Sequence, residues 1–316
     1  MGRHFLAPPR DEVALRQAVL AEGELGSLED LKGIQARLGV DGAAMALRLH
    51  IERCHAGFIA AVAREEAAPW PGPSGVKVLV VPGLYYAERP ELGGDGELVL
   101  QVAAACGFEA RRVATKSLGT VRENTRILQE ALATCGDAPV LVVSQSIGAL
   151  QVRQVLAELG PGEPAPFRGW LNLGGTPFGA HAIARMLGTS PRRMAGRILA
   201  RVHGLPFEAV EEAMPGHPLW QRPFPELRGA RLVTLLPIPL ECQVQNPLQA
   251  RFAELKAQGP TDGMVLLAES LPPGEVFPLW GCDHLMRTAA AGETLYRLLR
   301  WFRRELSASA APPSSR

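Results

Sequence analysis

The pentapeptide Ser144-Gln145-Ser146-Ile147-Gly148 directly follows the apolar run Ala138-Pro139-Val140-Leu141-Val142-Val143, and Gly148 to Leu156 then runs on with helical periodicity. A buried strand therefore turns into a helix with a serine at its apex. That places the Ser146 hydroxyl above a sheet and beside the positive end of a helix, where a nucleophile would sit. A serine hydroxyl is a poor nucleophile until an imidazole takes its proton, and the imidazole needs a carboxylate to hold its tautomer. Ser144 occupies the position of the first glycine in a G-x-S-x-G pattern, a crowded place where serine is the mildest enlargement. Serine and glycine often occur together, so the pentapeptide acquires meaning only if the chain supplies the partners.

A strand–turn–helix serine of this kind requires the chain order Ser, acid, His. After Ser146 the histidines are His181, His203, His217 and His284, and the first three precede the strand expected at Arg231. Only His284, in Gly281-Cys282-Asp283-His284-Leu285, follows the last expected strand, so it is the candidate base. Between Ser146 and His284 the aspartates are Asp262 and Asp283. Asp283 is adjacent to the histidine, a poor position for bonding its neighbour's ring. Asp262, in Pro260-Thr261-Asp262-Gly263-Met264-Val265, is the candidate acid, although an Asp-Gly pair also makes an ordinary turn. Glu241, nearer the end of the preceding strand, is the alternative acid.

Stabilising the oxyanion of an acyl transfer requires two backbone N–H groups. The residue after the nucleophile, Ile147, is one candidate. The other is Leu84, in Pro82-Gly83-Leu84-Tyr85-Tyr86, a loop that follows the first strand and turns tightly at Gly83. Tyr85, Tyr86 and Gln145 are candidates for lining a substrate pocket.

The elements that must position these residues are legible in the pattern of apolar runs. Runs at Val78–Val81, Phe108–Val113, Val140–Val143, Trp170–Leu173, Arg231–Leu236 and Val276–Trp280 alternate with helical stretches near Leu98–Cys106, Thr120–Cys135, Gly148–Leu156 and Glu293–Glu305. Such alternation predicts an α/β domain with a mostly parallel sheet covered by helices on both faces. Before the boundary signal Pro71-Gly72-Pro73-Ser74-Gly75, residues 1–70 read as a helical extension. Asp11 caps a first helix there, and Ser27 with Asp30 starts a second, closed by Gly39. A third begins at Asp41, with Leu47, Ile51, Cys54, Phe58 and Val62 on one stripe. His50 and His55 are read as ordinary helix residues. The α/β domain is expected over 76–306, with a disordered Ser/Ala/Pro-rich tail at 307–316.

The stretch at about 178–228 is too long for a simple crossover and reads as a helical cap over the carboxyl ends of the strands. A helix starting at Ser190-Pro191 carries Met194, Ile198 and Val202 on one side and Arg193, Arg197 and Arg201 on the other. The arginines are expected to form a solvated face, with membrane contact through the cap left open.

Composition sets the outer limits. With 316 residues, 47% of them hydrophobic and 21% charged, a full core is expected. The net charge of +1 argues against nucleic acid as a partner. Five scattered cysteines (Cys54, Cys106, Cys135, Cys242, Cys282) lack metal-ligand spacing and imply a reducing compartment with mostly buried thiols. The first residues lack a signal-peptide core, and no stretch approaches the roughly 20 apolar residues of a membrane span. A cytoplasmic location is the expectation.

Taken together, the stretch from about Val76 to Leu306 resembles an α/β-hydrolase of the esterase/lipase type. The resemblance rests on Val81-Pro82-Gly83-Leu84 in place of the lipase His-Gly-x loop, on the Ser146 turn, and on the acid and histidine loops around Asp262 and His284. It also rests on Gly175-Thr176-Pro177-Phe178-Gly179, similar to the Gly-Thr-Pro-His-x-Gly stretch of bacterial lipases and GPI-inositol-deacylase-like enzymes. Pro82, Ser144 and Phe178 depart from that pattern. The resemblance implies a serine carboxylester hydrolase working through an acyl-enzyme, with a small-molecule ester or lipid-like substrate and no metal or organic cofactor. An acyltransferase or thioesterase would use the same residues, and a non-catalytic binding protein could use the same fold.

Overall fold

The computed structural model describes residues 11–202 and 206–308. The expected disordered tail falls, from residue 309 on, outside the described residues, as do the first ten residues and His203. The chain opens with α1 (Glu12–Ala21), whose cap is the Asp11 carboxylate accepting from the Val13 and Ala14 amides. It continues with α2 (Leu31–Cys54) and α3 (Ala56–Ala63). The third expected helix departs from the sequence expectation. Gly39, at φ 76° and ψ −177°, is non-helical and closes the second helix as expected, so α2 comprises two helices on either side of a kink, and the third, from Asp41, breaks at His55. The His55 ring meets Glu275 Oε2 at 2.8 Å there, a tertiary partner that periodicity does not reveal. Leu47, Ile51, Phe58 and Val62 are buried as expected, but Cys54 is exposed.

The body then alternates strand and helix: β1 (Lys77–Val81), α4 (Glu97–Ala105), β2 (Glu109–Arg112), α5 (Val121–Ala133), β3 (Val140–Gln145), α6 (Gly148–Ala157) and β4 (Gly169–Leu173). Three helices follow within 178–228, namely α7 (His181–Met186), α8 (Ser190–Val202) and α9 (Phe207–Glu212). The chain returns through β5 (Arg231–Ile238), α10 (Gln249–Leu255), β6 (Glu275–Trp280) and α11 (Ala289–Ala308). The six strands are parallel throughout, in the order β2-β1-β3-β4-β5-β6.

A parallel sheet buried on both faces calls for near-continuous apolar strands, and alternate residues divide between the two faces. Val78 and Val80 join Val99, Val102, Leu298 and Phe302 on the face covered by α3, α4 and α11. Leu79 and Val81 join Leu128, Val152 and Trp170 under α5 and α6. The helices α1 and α2 close the β5–β6 side, where Leu15, Ile34 and Leu47 pack with Leu236, Ile238 and Val276. The strand order reverses at β1. The chain steps from β1 out to β2, crosses back, and continues outward from β3. The connections leaving β1 and β3 therefore go to opposite faces, and a crevice opens between their carboxyl ends.

One buried cation ties the 178–228 stretch to this body. Arg153 of α6 is 1% exposed, and its guanidinium donates to the carbonyls of Pro177 (2.8 Å), Arg222 (2.7 Å) and Trp220 (3.4 Å). It lies 5.1–5.5 Å from the ring centroids of Phe178, Trp220 and Phe224. A buried charge is tolerable only when its donors are satisfied, and carbonyl oxygens and aromatic faces supply the negative potential here. Arg153→Ala should therefore lower the unfolding free energy by about 3 kcal/mol or more, because it strips three carbonyls of their donor and opens a cavity. Arg222→Ala, whose contribution is a backbone carbonyl, should change it by no more than about 0.5 kcal/mol. Urea unfolding of the two variants checks the pair.

Candidate active site

The crevice between β1 and β3 is where Ser146 stands. The turn from β3 into α6 puts Ser146 at φ 48°, a left-handed conformation that side chains avoid unless the surroundings enforce it. Three contacts enforce it. The Ser146 amide donates to Leu173 O, and the Ser146 carbonyl accepts from the Ala149 and Thr176 amides at 3.2 and 3.1 Å. The turn also lies hard against the end of β1. A Cβ at Gly148 would come within 2.7 Å of Val81 O and 2.9 Å of Pro82 O, so only glycine fits there. A Cβ at Gly83 would sit 3.4 Å from that of Ser146.

Ser144 is more than a small filler. Its hydroxyl is fully buried, accepts from Trp170 Nε1 at 2.8 Å and donates to Asn172 Oδ1 at 3.3 Å. Gly175 in turn leaves room for that amide, since its Cβ would overlap Asn172 Oδ1 at 1.7 Å.

The structure brings Ser146, His284 and Asp262 together. His284 Nε2 is 2.9 Å from Ser146 Oγ, and His284 Nδ1 is 2.8 Å from Asp262 Oδ2. The imidazole is delivered by the loop that leaves β6 through Gly281 at φ 76°, and the His284 amide donates to the Asp262 carbonyl at 3.1 Å. Asp262 is completely buried. Its second oxygen accepts from the amides of Met264 (2.8 Å) and Val265 (2.9 Å), so each carboxylate oxygen has donors. The Thr261 hydroxyl closes the same turn by donating to Val265 O.

Electrostatics favour a charged imidazole. Burial alone opposes protonation of His284, but the charge and hydrogen bond of Asp262 outweigh it, with a further contribution from the charge of Asp283. The His284 pKa is thereby raised above the ordinary histidine value. Asp283 itself faces elsewhere, accepting from the Gln245 and Leu285 amides at 2.8 and 3.1 Å, and burial raises its pKa. The neighbouring Cys282 is buried, and its thiol is pushed up to about 11, chiefly by desolvation. A thiol held that far from ionisation is no rival nucleophile.

The remaining sequence candidates are dispersed. Glu241 pairs with Lys256 Nζ at 2.6 Å and has no contact with His284. His181 meets Glu269 at 3.1 Å, and His217 accepts from the Leu219 amide. Among the described residues, the amides of Leu84 and Ile147 have no internal acceptor, while the flanking Gly83 amide is used on Gly94 O. No three His, Cys, Asp or Glu side chains group as metal ligands among the described residues.

A cavity of about 300 Å³ opens onto Ser146 and His284, and Tyr85 and Gln145 line it. Gln145 is held by donation from Nε2 to Gly93 O at 3.1 Å. Tyr86, the third residue expected to line a pocket, is not part of this wall, because its hydroxyl donates to Thr115 O. Most of the lining went unread in the sequence: Leu92, Ile183, Met186, Leu187, Leu248 and Met264, with Arg251 among them, are drawn together from separate segments. Apart from the apolar pattern of α7, nothing in the sequence marks them.

No protein-family model matches the chain, and no curated protein matches its sequence. Solved structures do match. A metagenomic carboxyl esterase is 17% identical, with 98% of this chain and 97% of that chain covered and a TM-score of 0.58. A lipase from Bacillus licheniformis in its mature form is 18% identical, with 68% of this chain and 87% of that chain covered and a TM-score of 0.51. At such identities the likeness is one of architecture, and with the parallel sheet and the Ser146 turn already described, the chain has the α/β-hydrolase fold.

Proposed function

We propose that this protein is a serine hydrolase that cleaves a carboxylic ester through an acyl-enzyme. The observation that carries the proposal is the unbroken hydrogen-bonded line from Ser146 Oγ through the His284 ring to Asp262, at 2.9 and 2.8 Å. In this reading His284 Nε2 takes the Ser146 proton as Oγ attacks the ester carbonyl, and Asp262 holds the Nδ1–H tautomer and stabilises the imidazolium. The oxyanion is met by the Ile147 and Leu84 amides, which have no internal acceptor to give up. Collapse of the tetrahedral intermediate breaks the bond to the alcohol oxygen, which leaves with the proton from Nε2. A water molecule, deprotonated by the same nitrogen, then attacks the acyl-serine, and as the bond to Ser146 Oγ breaks, Nε2 returns the proton to that oxygen and the acid is released.

The largely apolar wall around Ser146 suits a hydrophobic acyl group. Two of the matching solved structures, those reported above, are described as a carboxyl esterase and a lipase, which accords with an ester substrate. The same residues would serve acyl transfer to an alcohol or thiol, so the acceptor is part of what an assay must establish.

A fluorophosphonate probe tests the nucleophile: it should label the wild type and fail to label Ser146→Ala. No labelling of the folded wild type would instead favour a binding protein on this fold. In ester hydrolysis, Asp262→Asn should lower turnover by about 10⁴-fold, because the tautomer of His284 is lost. His284→Ala should cost as much as Ser146→Ala, since the three act as a unit, whereas Glu241→Gln should leave the rate almost unchanged. The reverse result for the two acids would reassign the carboxylate.

The pH profile gives an independent check. Only neutral His284 can accept the Ser146 proton, so activity falls as the pH drops through its pKa. Because Asp262 raises that pKa, the acid limb of kcat/KM should have its midpoint above about 6.5, the ordinary histidine value. In the residual activity of Asp262→Asn the limb should move to lower pH. A wild-type midpoint below the ordinary value would contradict the assigned electrostatics.

A further inference from the structure

The helix α8 is turned the opposite way from an ordinary amphipathic surface helix. Two of its inward residues are small. Ala200 is buried, and a Cβ at Gly196 would lie 2.8 Å from Leu187 Cδ2 and 3.2 Å from the Phe207 ring. Three of its large apolar residues point out: Met194 is 58% exposed, Ile198 59% and Val202 74%. At 100° per residue these three fall within one 80° stripe. Arg201, Arg197 and Arg193 follow along the flank of that stripe, and all three are exposed.

The charge around the stripe is of one sign. From His181 to Val202 the sequence holds Arg185, Arg192, Arg193, Arg197 and Arg201 and no acidic residue, although the whole chain carries only +1. Arg197 reaches Glu211 of α9 at 3.0 Å, and Arg192 Nη1 lies 3.5 Å from Arg185 O. Exposed apolar side chains beside a row of arginines cost solvation in water. They become favourable where hydrocarbon lies next to negative charge, and an anionic lipid surface offers both at once. A second protein surface would need an apolar groove rimmed by carboxylates, a more particular match than a lipid surface requires.

The stripe also adjoins the Ser146 cavity. Leu187, on which α8 sits, lines that cavity, as does Met186, itself 45% exposed. We propose that the outward face of α8 docks this protein on an anionic lipid surface, with Met194, Ile198 and Val202 inserted among the acyl chains and the arginines on the headgroups. Docking rests on α8 alone. That it brings lipid esters to Ser146 rests on the ester-hydrolase reading above.

Flotation of the full chain with vesicles tests the docking without any turnover. The protein should float with phosphatidylcholine–phosphatidylglycerol vesicles, stay behind with phosphatidylcholine alone, and be released by added salt. The triple variant Met194→Ser, Ile198→Ser, Val202→Ser should bind the anionic vesicles at least about tenfold more weakly while hydrolysing a soluble short-chain ester at the wild-type rate. The pair Arg193→Glu and Arg201→Glu should abolish the preference for phosphatidylglycerol. Ser146→Ala should float like the wild type, so a failed hydrolase reading and a failed docking reading give different results. The proposal is overturned by equal flotation on both vesicle types, by flotation on neither, or by a triple variant that floats undiminished. A dimer in lipid-free solution that the triple variant disperses would assign the stripe to a second copy of the chain and overturn it equally.

Discussion

The site depends on how closely the β3–α6 turn approaches the end of β1. With Val81 O and Pro82 O within 3 Å of where a Gly148 Cβ would stand, the first turn of α6 can pass only as bare backbone. That closeness forces the chain to reverse within a single residue, and Ser146 takes the left-handed conformation as a result. A left-handed residue costs of order 1–3 kcal/mol, so its surroundings must over-determine it. Here they do so through hydrogen bonds to both sides of the Ser146 peptide, from β4 and from the loop that follows it. The strain serves a purpose, because it points a hydroxyl out of the sheet at the one place where neighbouring connections diverge.

The second organising force is buried charge. Asp262 has no exposure, so its carboxylate survives as an anion only with donors on each oxygen: two backbone amides and the His284 ring. The three donors fix where the Asp262 turn and the His284 loop can lie relative to each other, before any substrate is considered. Burial should discharge the histidine, yet the adjacent anion reverses that preference. Fixed dipoles and one fixed charge thus hold the imidazole's orientation and its proton affinity together.

How much of this was legible in the sequence can be traced residue by residue. The strands were, since a sheet buried on both faces leaves continuous apolar runs and few other segments of this chain have them. The grouping of Ser146, Asp262 and His284 was too. Aspartates are so scarce after Ser146 that chain order left little choice, and a buried carboxylate has to meet a partner. Interactions between segments were not legible. At the break between α2 and α3, His55 meets Glu275, 220 residues away. Tyr85 and Tyr86 are neighbours in sequence, but the left-handed φ of 59° at Tyr85 sends one to the cavity while the other bonds Thr115. The use of Ser144 was also hidden, because the donor that occupies it is the Trp170 indole of the next strand.

The helix α8 marks the sharpest limit on pattern reading. Periodicity identifies two faces of a helix but not which of them meets the protein. The usual assumption, apolar inward, holds when the body offers an apolar surface with room for large side chains. At α8 the body offers Leu187 and Phe207 at such short range that a side chain at Gly196 would crowd them, and Ala200 is the buried residue one turn on. Close backbone approach favours this orientation, and Met194, Ile198 and Val202 are left facing out. Arg153 accounts for why this is tolerated. A buried cation holding the carbonyls of Pro177, Trp220 and Arg222 anchors the ends of the same stretch, so α8 need not contribute a large apolar face to keep it in place. The outward side chains are then released from packing, and their chemistry can be set by whatever lies outside the protein.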